Sequence, residues 1–261
     1  MPLTHARNAA RPMRLIRSAA VTAIHLLTLD LDHTLWDPDA ALQRGELDSH
    51  AWLAQAVPAF GEQFPLDTFI HWRMQQREQH PAATKHHVSA LRQLAFREAL
   101  LQCGETAARA ETLAKQAFDV FWHCRQHVRV FDDTPTVLQQ LAAQYTLGAL
   151  SNGNACLQAI GLAPYFAFHF AAEAFPAPKP APDLFRAALQ RAHASAAHSV
   201  HIGDHPVDDI QGAHAVGMKT VWVNLKGTVW PSSQPRPDAE VQRVRDIPVA
   251  VQRLSARGVA L

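Results

Sequence analysis

Short apolar runs separated by stretches of helical periodicity set the pattern of this chain. Ile24-His25-Leu26-Leu27-Thr28 is apolar and of the length of a buried strand. It runs into Leu29-Asp30-Leu31-Asp32-His33-Thr34-Leu35-Trp36-Asp37, and Asp37-Pro38-Asp39 predicts a turn that disfavours helix and strand alike. From residue 40 to about 127 the texture changes to Ala, Leu, Gln and Arg with few turn signals. Val88, Leu91, Leu94/Ala95 and Ala99 recur at helical spacing, with Thr84 placed to cap that helix and Gly104 to stop it. Leu113, Ala117, Val120 and Phe121 form a second periodic set, and residues 42–57 and 66–79 are weaker helical segments. A small bundle of about four helices is expected here.

From Val128 onward strands and helices alternate. Asp133-Thr134-Pro135 predicts an N-cap with proline in the first turn, ahead of a stripe of Val137, Leu138 and Leu141. A short strand over 147–150 leads straight into Ser151-Asn152-Gly153-Asn154, and the helix after it stops at Gly161. Strands are expected at 168–171, 199–202 and 220–223, and helices at 182–192, 207–216 and 247–254, with a Pro/Ser loop at 226–237. The alternation predicts an α/β fold, a doubly wound parallel sheet interrupted by an all-helical insertion. The expected division is a basic, flexible extension over 1–23, an α/β core over 24–39 and 128–261, and a helical cap over 40–127.

Composition narrows the function classes. With 261 residues, 48% hydrophobic, the chain can bury a substantial core. A net charge of +1 implies neither a nucleic-acid nor a membrane partner, and no apolar run is long enough to span a bilayer. Three cysteines without metal-ligand spacing fit a reducing, cytoplasmic setting. Arg7, Arg11, Arg14 and Arg17, with no acid before Asp30, read as a transit peptide, a floppy tail or a segment preceding a start at Met13. Of sixteen scattered histidines only His33 and His205 adjoin candidate chemistry.

That chemistry is at strand ends, where open α/β sheets place their ligands. The first strand ends in Asp30 and Asp32, the second in Ser151, Asn152 and Gly153, and the third in Gly203-Asp204 with Asp208 and Asp209 behind it. Lys179 stands in a loop between flanking prolines. Asp30, Asp32 and Asp204 offer oxygens to a hard octahedral cation such as Mg²⁺. Ser151, the Gly153 N–H and Lys179 offer donors and positive charge to an anion. Together they suit phosphoryl transfer, with one carboxylate attacking and a second moving the proton. Taken singly, each piece has a bland reading as an acidic turn, a surface lysine or a helix cap.

In this order the motifs resemble those of the haloacid dehalogenase superfamily of phosphohydrolases. Asp30-Leu31-Asp32-His33-Thr34 is similar to its first motif, Ser151 to its second, Lys179 to its third, and Gly203-Asp204 through Asp209-Ile210-Gln211-Gly212-Ala213 to its fourth. The resemblance spans about residues 22–255. It implies a Rossmann-like core with a substrate-selecting helical cap, Asp30 as nucleophile and Asp32 as general acid/base. It implies Ser151 and Lys179 as their catalytic partners, with Thr34, Asn152, Gly153 and Asn154 around the phosphate. It also implies Mg²⁺ on the Asp30 carboxylate, the Asp32 backbone oxygen and Asp204, with Asp209 reached through water. True dehalogenases of the superfamily lack the second aspartate, because halide leaves without a proton, so Asp32 favours a phosphatase. The layout is similar to members that hydrolyse FMN or 5-amino-6-(5-phospho-D-ribitylamino)uracil, hence riboflavin metabolism, and to nucleotidases. Sugar phosphates, a dehalogenase and a non-catalytic binding protein are the alternatives. A small phosphorylated substrate and a monomer or homodimer are expected. Trp52, Trp72, Phe96 and Trp122 are candidates to stack on a flavin or base, or to form cap core. One departure is Pro176, where the family often has glycine before the lysine.

Overall fold

The computed structural model describes residues 24–81 and 84–257; the expected basic extension over 1–23 lies outside the described residues. The strands, in chain order, are β1 (Leu26–Leu29), β2 (Trp36–Asp37), β3 (Arg129–Val130), β4 (Thr146–Ser151), β5 (Phe168–Ala171), β6 (Ser199–Gly203), β7 (Lys219–Val223) and β8 (Ala239–Val241). Six of them form one parallel sheet in the order β5-β4-β1-β6-β7-β8. From β1 the chain winds outward through β4 and β5, then returns to β6 and winds the other way. The crevice where the winding reverses opens between the carboxyl ends of β1 and β6.

The sheet alternates as an element covered on both faces must. Leu27, Leu29, Leu147, Ala149, Val200 and Ile202 share one core with helices α6 (Thr134–Ala142) and α10 (Ile247–Arg257). On the opposite face Leu150 packs with α8 (Asp183–Arg191) and α9 (Gly212–Ala215). The short α7 (Leu157–Ile160) stops at Gly161, as expected, and Gly104 and Gly217 end their helices likewise at positive φ.

Between β2 and β3 lies the all-helical cap: α1 (Asp39–Ala56), α2 (Pro58–Gln63), α3 (Leu66–Gln79), α4 (Val88–Gln102) and α5 (Ala107–Arg125). Its own core holds Leu53, Phe60, Phe69, Phe96 and Leu100. Phe96 is fully buried there, and Trp52 and Trp72 pack against this core.

Several expectations change. Asp37-Pro38-Asp39 does not end regular structure: Trp36–Asp37 pairs antiparallel with Arg129–Val130, and α1 starts at Asp39, since proline is tolerated where a helix has no bond to lose. Five cap helices are described rather than four, because Pro58 ends α1 and opens α2. Thr84 bonds the Pro81 carbonyl instead of capping α4, which starts at Val88 without a side-chain cap. Asp133 precedes α6 but makes no cap bond; Thr134 ties that turn to the Leu35 carbonyl at 2.8 Å. Residues 206–211 form a π-helical turn ahead of α9 rather than one continuous α-helix. β8 was not foreseen, since Ala-Glu-Val carries too little periodicity to read.

Candidate active site

β1 delivers Asp30 into the crevice. Its backbone N–H bonds the Ile202 carbonyl at 2.9 Å, which ties it to β6. One carboxylate oxygen meets Lys179 Nζ at 2.6 Å and the other accepts from Thr34 Oγ1 at 3.3 Å. Lys179 uses all three of its N–H groups, on Asp30, on Asp209 Oδ1 at 2.6 Å and on the Leu150 carbonyl at 2.8 Å. Asp209 in turn accepts from the His205 N–H at 2.9 Å and from His201 Nε2 at 3.1 Å. The π-helical turn brings Asp209 back beneath Gly203. A Cβ on Gly203 would lie 2.3 Å from the Asp209 carboxyl carbon, so only glycine fits.

Burial dominates the electrostatics. Desolvation raises the Asp30 carboxyl well above its ordinary value; Lys179 opposes this, while Asp209 and Asp204 add to it. Burial also lifts Asp204 to about 6, helped by Asp209. Burial would lower Lys179, but Asp209 and Asp30 outweigh it and hold the ammonium above its usual value. Burial alone would raise Asp209, yet Lys179 and His201 keep it well below the usual carboxylate range. His201 is lowered by burial in spite of Asp209. It is neutral near pH 7, its Nδ1 facing Thr28 Oγ1 at 2.8 Å.

One oxygen from each of Asp30, Asp204 and Asp209 lies within 4.8 Å of the others. Three carboxylates against one lysine leave an excess of two negative charges in a buried crevice. Hard oxygen donors and that charge fit a divalent cation of the Mg²⁺ kind. The Asp32 side chain lies outside this cluster. It accepts from Trp36 Nε1 at 2.7 Å, and Arg125 Nη2 reaches both its oxygens, at 2.8 and 2.6 Å.

Ser151 ends β4, and its Oγ accepts from the Gly153 N–H at 2.9 Å. A Cβ on Gly153 would lie 2.8 Å from Asp32 Oδ2 and 3.3 Å from Arg125 Nη2, so this glycine keeps a cradle open beside Asp32. The Asn152 amide is engaged elsewhere: it brackets Lys179, accepting from its N–H at 2.9 Å and donating to its carbonyl at 3.0 Å. That clamp holds the loop at Lys179, which is followed by a cis bond to Pro180. Asn154 bonds Ser89 Oγ at 3.1 Å, and Ser89 bonds Glu173, so the cap is fastened to the core here.

Thus Asp30, Asp204, Asp209, Lys179, Thr34 and Ser151 gather at the crevice, with Asp32 and Gly153 at its rim. His33 adopts φ 60°, a left-handed turn uncommon for a side chain other than glycine, and pairs with Asp39 at 3.6 Å. His205 bonds the Asp208 N–H through Nδ1. Sequence reasoning missed His201 and Arg125. His201 occupies an inward position of a buried strand, and Arg125 falls on the same stripe as Ala114, Phe118 and Phe121. A polar residue on an apolar stripe was the available signal.

The doubly wound sheet, the acidic crevice at its switch point and the helical cap define a capped α/β hydrolase. Residues 24–217 match the family model described as haloacid dehalogenase-like hydrolase. The chain belongs to that family. It is 30% identical over 200 residues to the 5-amino-6-(5-phospho-D-ribitylamino)uracil phosphatase YigB of Escherichia coli strain K12, covering 77% of this chain and 83% of that protein. The N-acylneuraminate-9-phosphatase of Mus musculus is 26% identical over 244 residues, or 91% and 97% of the two chains. A crystal structure described as 2-haloacid dehalogenase from Pseudomonas syringae pv. Tomato DC3000 superposes with a TM-score of 0.83 at 39% identity, covering 88% of this chain and 99% of that one. No described helix is long and apolar enough to cross a membrane.

Proposed function

We propose that this hydrolase cleaves phosphomonoesters of small metabolites, with Asp30 as nucleophile and Asp32 as the proton carrier. The observation that carries the reading is the pairing of a lysine-held Asp30 with a second aspartate at the rim. Lys179 fixes one oxygen of the Asp30 carboxylate at 2.6 Å and balances part of its charge, and the second oxygen, which accepts only the longer Thr34 bond at 3.3 Å, makes the in-line attack on phosphorus. The P–O bond to the alcohol breaks as the Asp30–phosphorus bond forms, and the leaving oxygen takes its proton from Asp32. Asp32 then removes a proton from water, which attacks the aspartyl-phosphate and releases Asp30 and inorganic phosphate. Ser151, its Oγ held by the Gly153 N–H, supplies its hydroxyl proton to a phosphoryl oxygen, and Thr34 orients Asp30. When bound on Asp30, Asp204 and the Asp209 side, Mg²⁺ supplies positive charge to the phosphoryl group. The free thiols of Cys103, Cys124 and Cys156 suit a reducing, cytoplasmic setting.

Among substrates, the likeness to the Escherichia coli enzyme speaks for the ribityl-uracil phosphate. FMN has less support, because Trp52, Trp72, Phe96 and Trp122 are absent from the cavity beside Asp32. A second reading, hydrolytic dehalogenation by Asp30, is favoured by the Pseudomonas syringae likeness. Asp32 and the three-carboxylate cluster speak against it, because displacement of halide from carbon needs neither a proton donor nor a divalent cation.

The test is phosphate release across FMN, the ribityl-uracil phosphate, nucleoside monophosphates and sugar phosphates, alongside halide release from 2-chloropropionate. Phosphate release abolished by Asp30→Asn and by EDTA is expected. Metal-independent halide release without phosphate release would establish the second reading.

A further inference from the structure

A cavity of about 260 Å³ opens between cap and core, next to Asp32, Gly153 and Asn154. A phosphoester whose phosphorus faces Asp30 and whose leaving oxygen faces Asp32 must send the rest of its leaving group this way. Four arginines line the cavity: Arg73 and Arg77 from α3, Arg92 from α4 and Arg125 from α5. Arg73 and Arg92 share one carboxylate oxygen, Glu46 Oε1, at 2.6 and 2.8 Å. Arg125 holds Asp32. Three buried or half-buried guanidinium groups therefore face two carboxylates, an excess of one positive charge, and the exposed Arg77 adds a second at the mouth.

The hydrogen-bond count agrees. Arg73 Nε, Arg92 Nη1 and Arg125 Nη1 are buried and lack a partner among the described residues. Arg92 is 9% exposed and Arg125 only 1%. A buried donor without a partner costs free energy, and three of them in one cluster show that the protein supplies too few acceptors for the arginines lining this cavity. Burial and the neighbouring Arg92 lower Arg73 to about 10 in spite of Glu46. The one aromatic ring on the lining, Phe121, has the Arg92 guanidinium over its face at 3.5 Å, so that face is closed to a flavin or base. The volume lies just below that of ligand clefts, which run from roughly 300 to 1,000 Å³, and suits a small leaving group.

We infer that the natural substrate is a small phosphomonoester bearing a second anionic group, a carboxylate or another phosphate, which Arg73, Arg92 and Arg125 bind in this cavity. The inference rests on the phosphatase reading and turns it away from the ribityl-uracil phosphate and FMN, neither of which carries a second carboxylate or phosphate. Arg77, exposed at the mouth, adds attraction for the entering anion.

The test compares matched substrates on the unmodified, Mg²⁺-supplied protein. 3-Phosphoglycerate and glycerol 3-phosphate differ only in carboxylate against hydroxymethyl; propane-1,3-diol bisphosphate supplies a phosphate instead. One of the doubly anionic esters should exceed glycerol 3-phosphate by about tenfold or more in kcat/KM, as expected for charge-assisted hydrogen bonds. Which of them does so identifies the second group. Arg73→Gln should shrink that ratio severalfold and Arg73→Lys should restore part of it. Equal turnover of all three esters overturns the inference while the phosphatase reading stands. Failure to release phosphate from any ester, p-nitrophenyl phosphate included, overturns both.

Discussion

Two charged regions meet at the rim of the crevice, and they are built on opposite principles. In the floor, Lys179, Asp30, Asp209 and His201 satisfy one another almost completely. In the cavity above, guanidinium groups outnumber carboxylates and leave donors unpaired. A closed network holds a reactive carboxylate still; an open one waits for a ligand. The contrast implies that substitutions in the floor unfold or inactivate the protein, whereas those in the cavity alter what it selects.

The sharpest way to break this contrast is Lys179→Met. It strips the counter-charge from two buried aspartates, a loss of about 3–5 kcal/mol, read as a lower urea midpoint together with loss of turnover. An unchanged midpoint would show that the floor is not held by its ion pairs. Next comes pH. Asp204 has a folded-state value of about 6 against an ordinary 3.8. The folded protein therefore holds more protons than the unfolded chain between these values. Stability of the metal-free protein should fall as pH rises from about 4 to 6, by up to about 3 kcal/mol, and this contribution should be constant above that. Asp30 acts in the same direction, and urea midpoints in EDTA measure the slope. Asp204→Asn should remove its share of the slope and leave that of Asp30, and added Mg²⁺ should reverse the loss near pH 7. Gly153→Ala, at the border of the two regions, presses on Asp32 and Arg125; kcat should drop about tenfold with far-UV dichroism unchanged. The smallest effect is Arg77→Gln on the cavity rim, where stability should move by less than about 0.5 kcal/mol. A larger loss would mean that the rim, too, is structural.

The floor was largely legible in the sequence because its residues stand at strand ends within short motifs, where the chain's turns are fixed locally. Asp30, Ser151, Lys179 and Asp204 announce themselves in this way. The cavity was not legible, since its arginines come from three helices and meet only through tertiary packing. Arg92 sits on the stripe of Val88, Ala95 and Ala99, and in a single sequence that looks like an ordinary cation at the edge of a solvated face. His201 hides inside a buried strand for the same reason: its partners, Thr28 and Asp209, come from other segments. The sheet followed from alternation, while β2, β3 and β8 are too short to carry a period.

The two-residue ribbon of β2 and β3 has a consequence for how the chain assembles. It fastens Trp36 to Val130 and Asp37 to Arg129, so both ends of the long helical excursion leave the sheet side by side. The sheet itself is stitched from distant partners; Thr28 and His201 touch across 173 positions. Closing such loops is slow, and its entropic cost grows only with the logarithm of length. An excursion that condenses on its own aromatic core and is pinched at its base spares β1 and β4 most of that search. Helices should thus appear before the central strands in refolding, and the length of the excursion can vary without disturbing the register beneath it.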